Sequence, residues 1–95
     1  MLSKIPIDMG KINKEDLNRE ILRVAIVGEL DAINLYEELA NMTESPDLKA
    51  VLLDVAEEEK THVGEFQALL LRKDKQQKIE LEKGREEVEE LTGTK

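Results

Sequence analysis

Residues 43–46, Thr43-Glu44-Ser45-Pro46, separate two long stretches of helical periodicity. Ser45 offers a hydroxyl as an N-cap, and Pro46 suits a first helical position, where its missing N–H costs nothing. Upstream, Leu22, Ala25, Ile26, Ile33, Leu39 and Ala40 recur at three-to-four-residue spacing, the mark of an amphipathic helix. That helix starts near Asn13, which can cap it, carries Glu15 and Asp16 in its first turn where the helix dipole favours negative charge, and ends near Met42. Downstream, Leu48, Val51, Leu52, Val55, Val63, Phe66, Leu69 and Leu70 form a second stripe that continues to about Arg72. Two long helices joined by so short a turn must run antiparallel.

The flanks are weaker. Residues 1–12 lack periodicity and contain Pro6 and Gly10, which predicts an extended N-terminal arm. From residue 73 to 95 the composition shifts to Lys, Gln and Glu, with Ile79, Val88 and Leu91 as sparse apolar positions, Gly84 as a bend or break and Gly93 as a C-cap. The expected fold is all-α: a helical hairpin over 13–72 and a short charged C-terminal helix and tail over 73–95. With 95 residues, such a hairpin buries too little apolar surface to stand comfortably alone, so pairing into a four-helix bundle is expected.

Composition excludes several functions. A formal net charge of −8 and 2% aromatic residues repel nucleic-acid phosphate and leave almost no stacking surface for bases. The absence of cysteine removes disulfide and thiolate chemistry. No run is long enough to span a bilayer and the first ten residues do not resemble a signal peptide, so a cytoplasmic protein is expected.

Three polar residues interrupt the apolar stripes. Glu29 falls between Ala25 or Ile26 and Ile33; Glu59 continues Leu52 and Val55; His62, the only histidine, lies between Val55 and Phe66. A carboxylate turned toward a core needs a cation or hydrogen bonds to offset its burial. Glu29 and Glu59 each stand fifteen residues from Glu44 in the turn, about 22 Å along either helix at ~1.5 Å per residue. Glu29 is therefore expected to face Glu59-Lys60-Thr61-His62 across the hairpin. Carboxylate and imidazole together suit Fe or Mn and also Zn. The chain carries half the ligand inventory of a di-iron carboxylate bundle, a Glu from one helix and Glu-x-x-His from another, and a two-fold axis completes it. Two iron ions per dimer is the expected loading, with Ca, Mn or Zn able to substitute in a crystal. Two bland readings compete: His62 as a satisfied interface residue, and Glu57-Glu58-Glu59 as a solvated charge block in which Glu58 partners His62. Tyr36, seven residues after Glu29, shares its face, either as a packed tyrosine or as a group that hydrogen-bonds a ligand or gives up an electron. Asp31 lies on a different face, solvated or lining an entry path.

The segments Gly28-Glu29-Leu30-Asp31-Ala32-Ile33-Asn34-Leu35-Tyr36-Glu37 and Glu57-Glu58-Glu59-Lys60-Thr61-His62-Val63-Gly64-Glu65-Phe66 resemble the encapsulated ferritins, above all the archaeal form fused ahead of an encapsulin shell protein. The resemblance covers roughly residues 15 to 93. It implies a ferroxidase centre at a dimer interface, with Glu29 and His62 as terminal ligands of one iron and Glu59 of each subunit bridging the two. It also implies Tyr36 near the centre, Asp31 in a metal-attracting entrance site, annular decamers, and residence in an encapsulin nanocompartment. Gly28 replaces an acidic residue of many bacterial members, and Leu35 replaces a frequent tryptophan. No cargo-directing peptide precedes Lys95, which suits either a domain of a longer fusion or a protein outside a shell. The activity so implied is oxidation of Fe(II) by dioxygen, supplying iron for storage. The rivals are a peroxide-reducing di-iron or di-manganese protein, and a non-catalytic oligomerisation module whose acidic core residues meet interchain Lys or Arg.

Overall fold

The structure, a computed structural model, describes residues 14–95 and contains three helices: α1 Lys14–Met42, α2 Pro46–Lys73 and α3 Lys75–Thr92. The expected N-terminal arm and the Asn13 cap lie outside the described residues. Among the described residues there is no strand, and no helix is long and apolar enough to cross a membrane.

Local chemistry sets the boundaries. Ser45 is extended (φ −81°, ψ 117°), its Oγ accepts from the Leu48 amide at 3.3 Å and its carbonyl from the Lys49 amide at 3.0 Å. With Pro46 and Asp47 in the first turn and Arg72 and Lys73 in the last, both ends of α2 complement its dipole. Asp74 (φ −135°, ψ 88°) ends α2 and caps α3, its Oδ1 accepting from the Gln77 amide at 3.0 Å. Gly93 closes α3 at φ +72°, a left-handed conformation only glycine adopts freely, with its amide bonded to the Glu89 carbonyl at 2.8 Å. No break occurs at Gly84: α3 runs through it as one helix. Glycine costs a helix interior only about 1 kcal/mol, and Arg85, paired with both Glu82 and Glu89, stitches the turns around it.

Contacts between α1 and α2 descend one helix as they ascend the other. Arg23 meets Asp74, Glu29 meets His62 and Glu37 meets Lys60, which establishes the antiparallel hairpin. Its core is Leu22, Ala32, Ile33 and Ala40 from α1 with Ala56 and Leu70 from α2. Several expected core positions are instead exposed in the single chain, among them Leu39, Leu48, Val51 and Leu69. Two helices cover only one flank of each other, so an apolar stripe wider than that contact stays uncovered. Ile21 and Leu39 on α1, and Val51 and Leu69 on α2, are each eighteen residues apart, which is about five full turns, and so line up along their helices. Both lines lie about 80° from Glu29 and Glu59 respectively, and in an antiparallel pair they emerge on the same side of the hairpin. α3 contributes no buried residue.

Candidate metal centre

Glu29 sits at the midpoint of α1, and Glu59 and His62 at the middle of α2, where helix ends cannot fray and backbone positions are most rigid. The Glu59-x-x-His62 spacing places both side chains on neighbouring turns of one face, and the packing of Leu22 and Ile33 against α2 turns Glu29 toward them. His62 Nδ1 lies 3.4 Å from Glu59 Oε2 and 3.5 Å from Glu29 Oε2, and ligand atoms of the three residues all fall within 4.8 Å of one another. Both carboxylates are largely shielded, at 20% and 19% side-chain exposure, while His62 keeps 43% and forms the open side. That open side is the flank that carries Ile21, Leu39, Val51 and Leu69.

Glu29 Oε2 is buried and has no hydrogen-bond partner. The electrostatic contact with His62 does not satisfy it, because a single ring nitrogen faces two carboxylates and can donate at most one proton between them. A carboxylate oxygen withdrawn from water and left unpaired costs free energy. A divalent cation, which accepts lone pairs from both carboxylates and the imidazole at once, removes that cost. The donor set fits Fe, Mn or Zn better than the all-oxygen preference of Ca or Mg.

The remaining candidates fall outside this group. Glu58, the competing partner for His62, is exposed, whereas Glu59 is the carboxylate in contact. Tyr36 is half-buried two turns beyond Glu29. Asp31 is half-buried and, two residues on, sits about 200° around the helix from Glu29. Two contacts escaped sequence reasoning. Lys60 reaches across the hairpin to Glu37 at 3.1 Å, and Arg23 holds Asp74 Oδ2 at 2.8 Å. The second had a partial signal in Asp74-x-x-Gln77, a capping pattern, but nothing in the sequence tied it to Arg23.

A helical hairpin carrying Glu and Glu-x-x-His at mid-helix is the half-unit of a ferritin-like carboxylate protein, and residues 20–93 match the rubrerythrin family; the chain belongs to it. Within that family it resembles the encapsulated ferritins. It is 61% identical over 80 residues to the ferritin-like–encapsulin shell fusion protein of Pyrococcus furiosus, covering 84% of this chain and 23% of that protein. It is 42% identical over 67 residues to the encapsulin nanocompartment cargo protein EncC of Myxococcus xanthus, covering 70% of this chain and 51% of that one. The chain thus spans about a quarter and about half the length of these two relatives. Its fold superposes on the crystal structure of the encapsulated ferritin domain from Pyrococcus furiosus with a TM-score of 0.85 at 50% identity, covering 100% of this chain and 97% of that one.

Proposed function

We propose that this protein oxidises Fe(II) to Fe(III) with dioxygen at a di-iron centre that two copies of the chain build together. The observation that carries the reading is the orphaned Glu29 Oε2, buried beside Glu59 and His62 in the middle of the hairpin. Two copies related by a two-fold axis bring together four glutamates and two histidines, the complete inventory for a two-iron bundle. Glu29, Glu59 and His62 of each copy would hold the irons, in the terminal and shared roles that the resemblance to the encapsulated ferritins implies. The half-exposed His62 lies on the flank that also carries Ile21, Leu39, Val51 and Leu69, uncovered in the single chain, which supports packing the second copy there.

Fe(II) is the substrate: two Fe(II) ions each lose one electron, and one dioxygen takes both electrons with two protons and leaves as hydrogen peroxide. The four carboxylates would offset the positive charge of the pair and favour the ferric product, and Glu59 of each copy would help hold the two ions near one another. In the roles that the resemblance to the encapsulated ferritins implies, Asp31 would draw cations toward the site from outside the ligand group, and Tyr36, on the face of Glu29 but two turns, about 10 Å, along α1, would give up an electron to the centre. The likeness to an encapsulin fusion and an encapsulin cargo protein supports placing this activity inside an encapsulin compartment; dimers arranged in a ring and a shell that stores the iron are what the resemblance to the encapsulated ferritins implies.

The test is stopped-flow Fe(II) oxidation with Glu29→Ala, Glu59→Ala and His62→Ala, together with metal content and solution mass. The expected results are two irons per dimer and loss of oxidation to the uncatalysed background in each variant. Wild-type rates in all three would sink the assignment. Peroxide consumed in place of oxygen would identify a peroxide reductase, and absence of stoichiometric metal would identify a structural module.

A further inference from the structure

α3 buries none of its residues, and its apolar side chains Ile79 and Leu81 stay about half exposed, so hydrophobic packing holds its direction only weakly. One carboxylate sits at the junction with both oxygens committed. Asp74 Oδ1 caps α3 through the Gln77 amide at 3.0 Å, and Asp74 Oδ2 accepts from Arg23 Nη2 of α1 at 2.8 Å, a contact spanning 51 positions of the chain. The Asp74 side chain is 12% exposed, well shielded for a member of an ion pair. Arg19, one turn earlier on α1, adds to the positive field around it.

We infer that the Arg23–Asp74 pair is an elbow clamp: it locks the angle between α3 and the hairpin by joining the N-cap of α3 to the flank of α1. The cap fastens the carboxylate to the first turn of α3, and the guanidinium fastens the same carboxylate to α1. Swinging α3 about the junction must therefore break one of the two bonds. The lever is long. α3 has 18 residues, about 27 Å at ~1.5 Å each, so a rotation of about 10° moves its far end, with the exposed Leu91, by about 5 Å. Asp74 and Arg23 act as positioning residues for whatever surface α3 presents, and they do so without touching the metal centre.

The chain has no cysteine, so a cysteine pair at the exposed positions Asn34 and Glu86 accepts spin labels at those sites alone. Labelled full-length chain, diluted into unlabelled protein so that each assembly carries one labelled copy, gives the α1–α3 distance distribution by pulsed dipolar EPR. The parent is expected to show one narrow peak. Arg23→Gln and Asp74→Asn are expected to lose it to a broad distribution, Arg23→Lys to retain most of it, and the double variant to be no broader than either single one. Asparagine still caps a helix, so circular dichroism of Asp74→Asn should show α3 intact and separate loss of the clamp from loss of the helix. A peak that stays narrow in both single variants overturns the inference. So does broadening in Asp74→Asn without broadening in Arg23→Gln, which would reduce Asp74 to a cap.

Discussion

Replacing Glu29 by methionine should make the metal-free protein more stable while abolishing its metal binding. Methionine is close to glutamate in length and helix propensity and brings no polar atom into the site. The substitution therefore removes a buried oxygen that has no hydrogen-bond partner, whose desolvation costs about 1–3 kcal/mol. The lower end of that range applies, because the Glu29 side chain keeps 20% exposure and His62 Nδ1 at 3.5 Å recovers part of the cost. A gain of about 1 kcal/mol raises the melting temperature of a domain this size by about 4–8 °C.

Metal reverses the order. At a free concentration one hundred times its dissociation constant, a ligand that binds only the folded state adds about 2.7 kcal/mol; the wild type receives that increment and Glu29→Met does not. The assay is thermal unfolding of both proteins at one protomer concentration, first in chelator and then with Fe(II) under anaerobic conditions or Zn(II) in air. The variant should melt higher in chelator and lower with metal. If Glu29→Met melts below the wild type in chelator, the orphaned oxygen is not a cost. If both proteins gain equally from metal, Glu29 is not a ligand.

Two further outcomes follow from the same geometry. Val51→Asp and Leu69→Asp alter side chains that are 60% and 44% exposed in the single chain, so the hairpin should keep its helical content, whereas sedimentation should show the dimer lost and stopped-flow should show oxidation lost with every ligand intact; dimeric, active variants would place the partner elsewhere. At the elbow, the amide of Gln77 first, then Arg23 and Arg19, hold the Asp74 carboxyl below the usual carboxylate range despite opposing desolvation. A folded-state value lowered in this way contributes stability above the unfolded carboxylate value and loses it as pH falls through the lowered one. The melting difference between wild type and Asp74→Asn should accordingly be widest near neutrality and close in strong acid, and a difference that persists unchanged into acid would show that the Asp74 charge contributes nothing.

Much of the fold was legible because its signals are local. Ser45 and Pro46 announce the turn and the start of α2, and Gly93 the end of α3, through capping chemistry confined to a few residues. The proximity of Glu29, Glu59 and His62 was legible for a related reason: an ionisable residue that interrupts an apolar stripe is conspicuous, and equal distance from a turn is equal height on an antiparallel pair. Periodicity reports only that a stripe is apolar and not what covers it. Hence Val51 and Leu69 read the same as Leu70, although only Leu70 is buried within the chain. The Arg23–Asp74 contact was illegible because no local pattern links positions so far apart. Gly84 misled because glycine weakens a helix without obliging it to break.

The two oddities of the isolated hairpin constrain each other. A metal ion alone would satisfy Glu29 but leave Ile21, Leu39, Val51 and Leu69 in water. A second copy alone would cover those side chains, yet it would also exclude water from His62, the open side of the site, and bring four carboxylates into one poorly solvated space. Like charges so placed repel strongly when solvent is withdrawn. Each remedy therefore makes the other necessary: covering the flank raises the need for cations, and cations remove the repulsion that opposes covering it. By linkage, dimerisation must strengthen metal binding by the same factor that metal strengthens dimerisation. The centre proposed here would consequently belong to the interface, and a single chain would bind metal more weakly than the pair by that same factor.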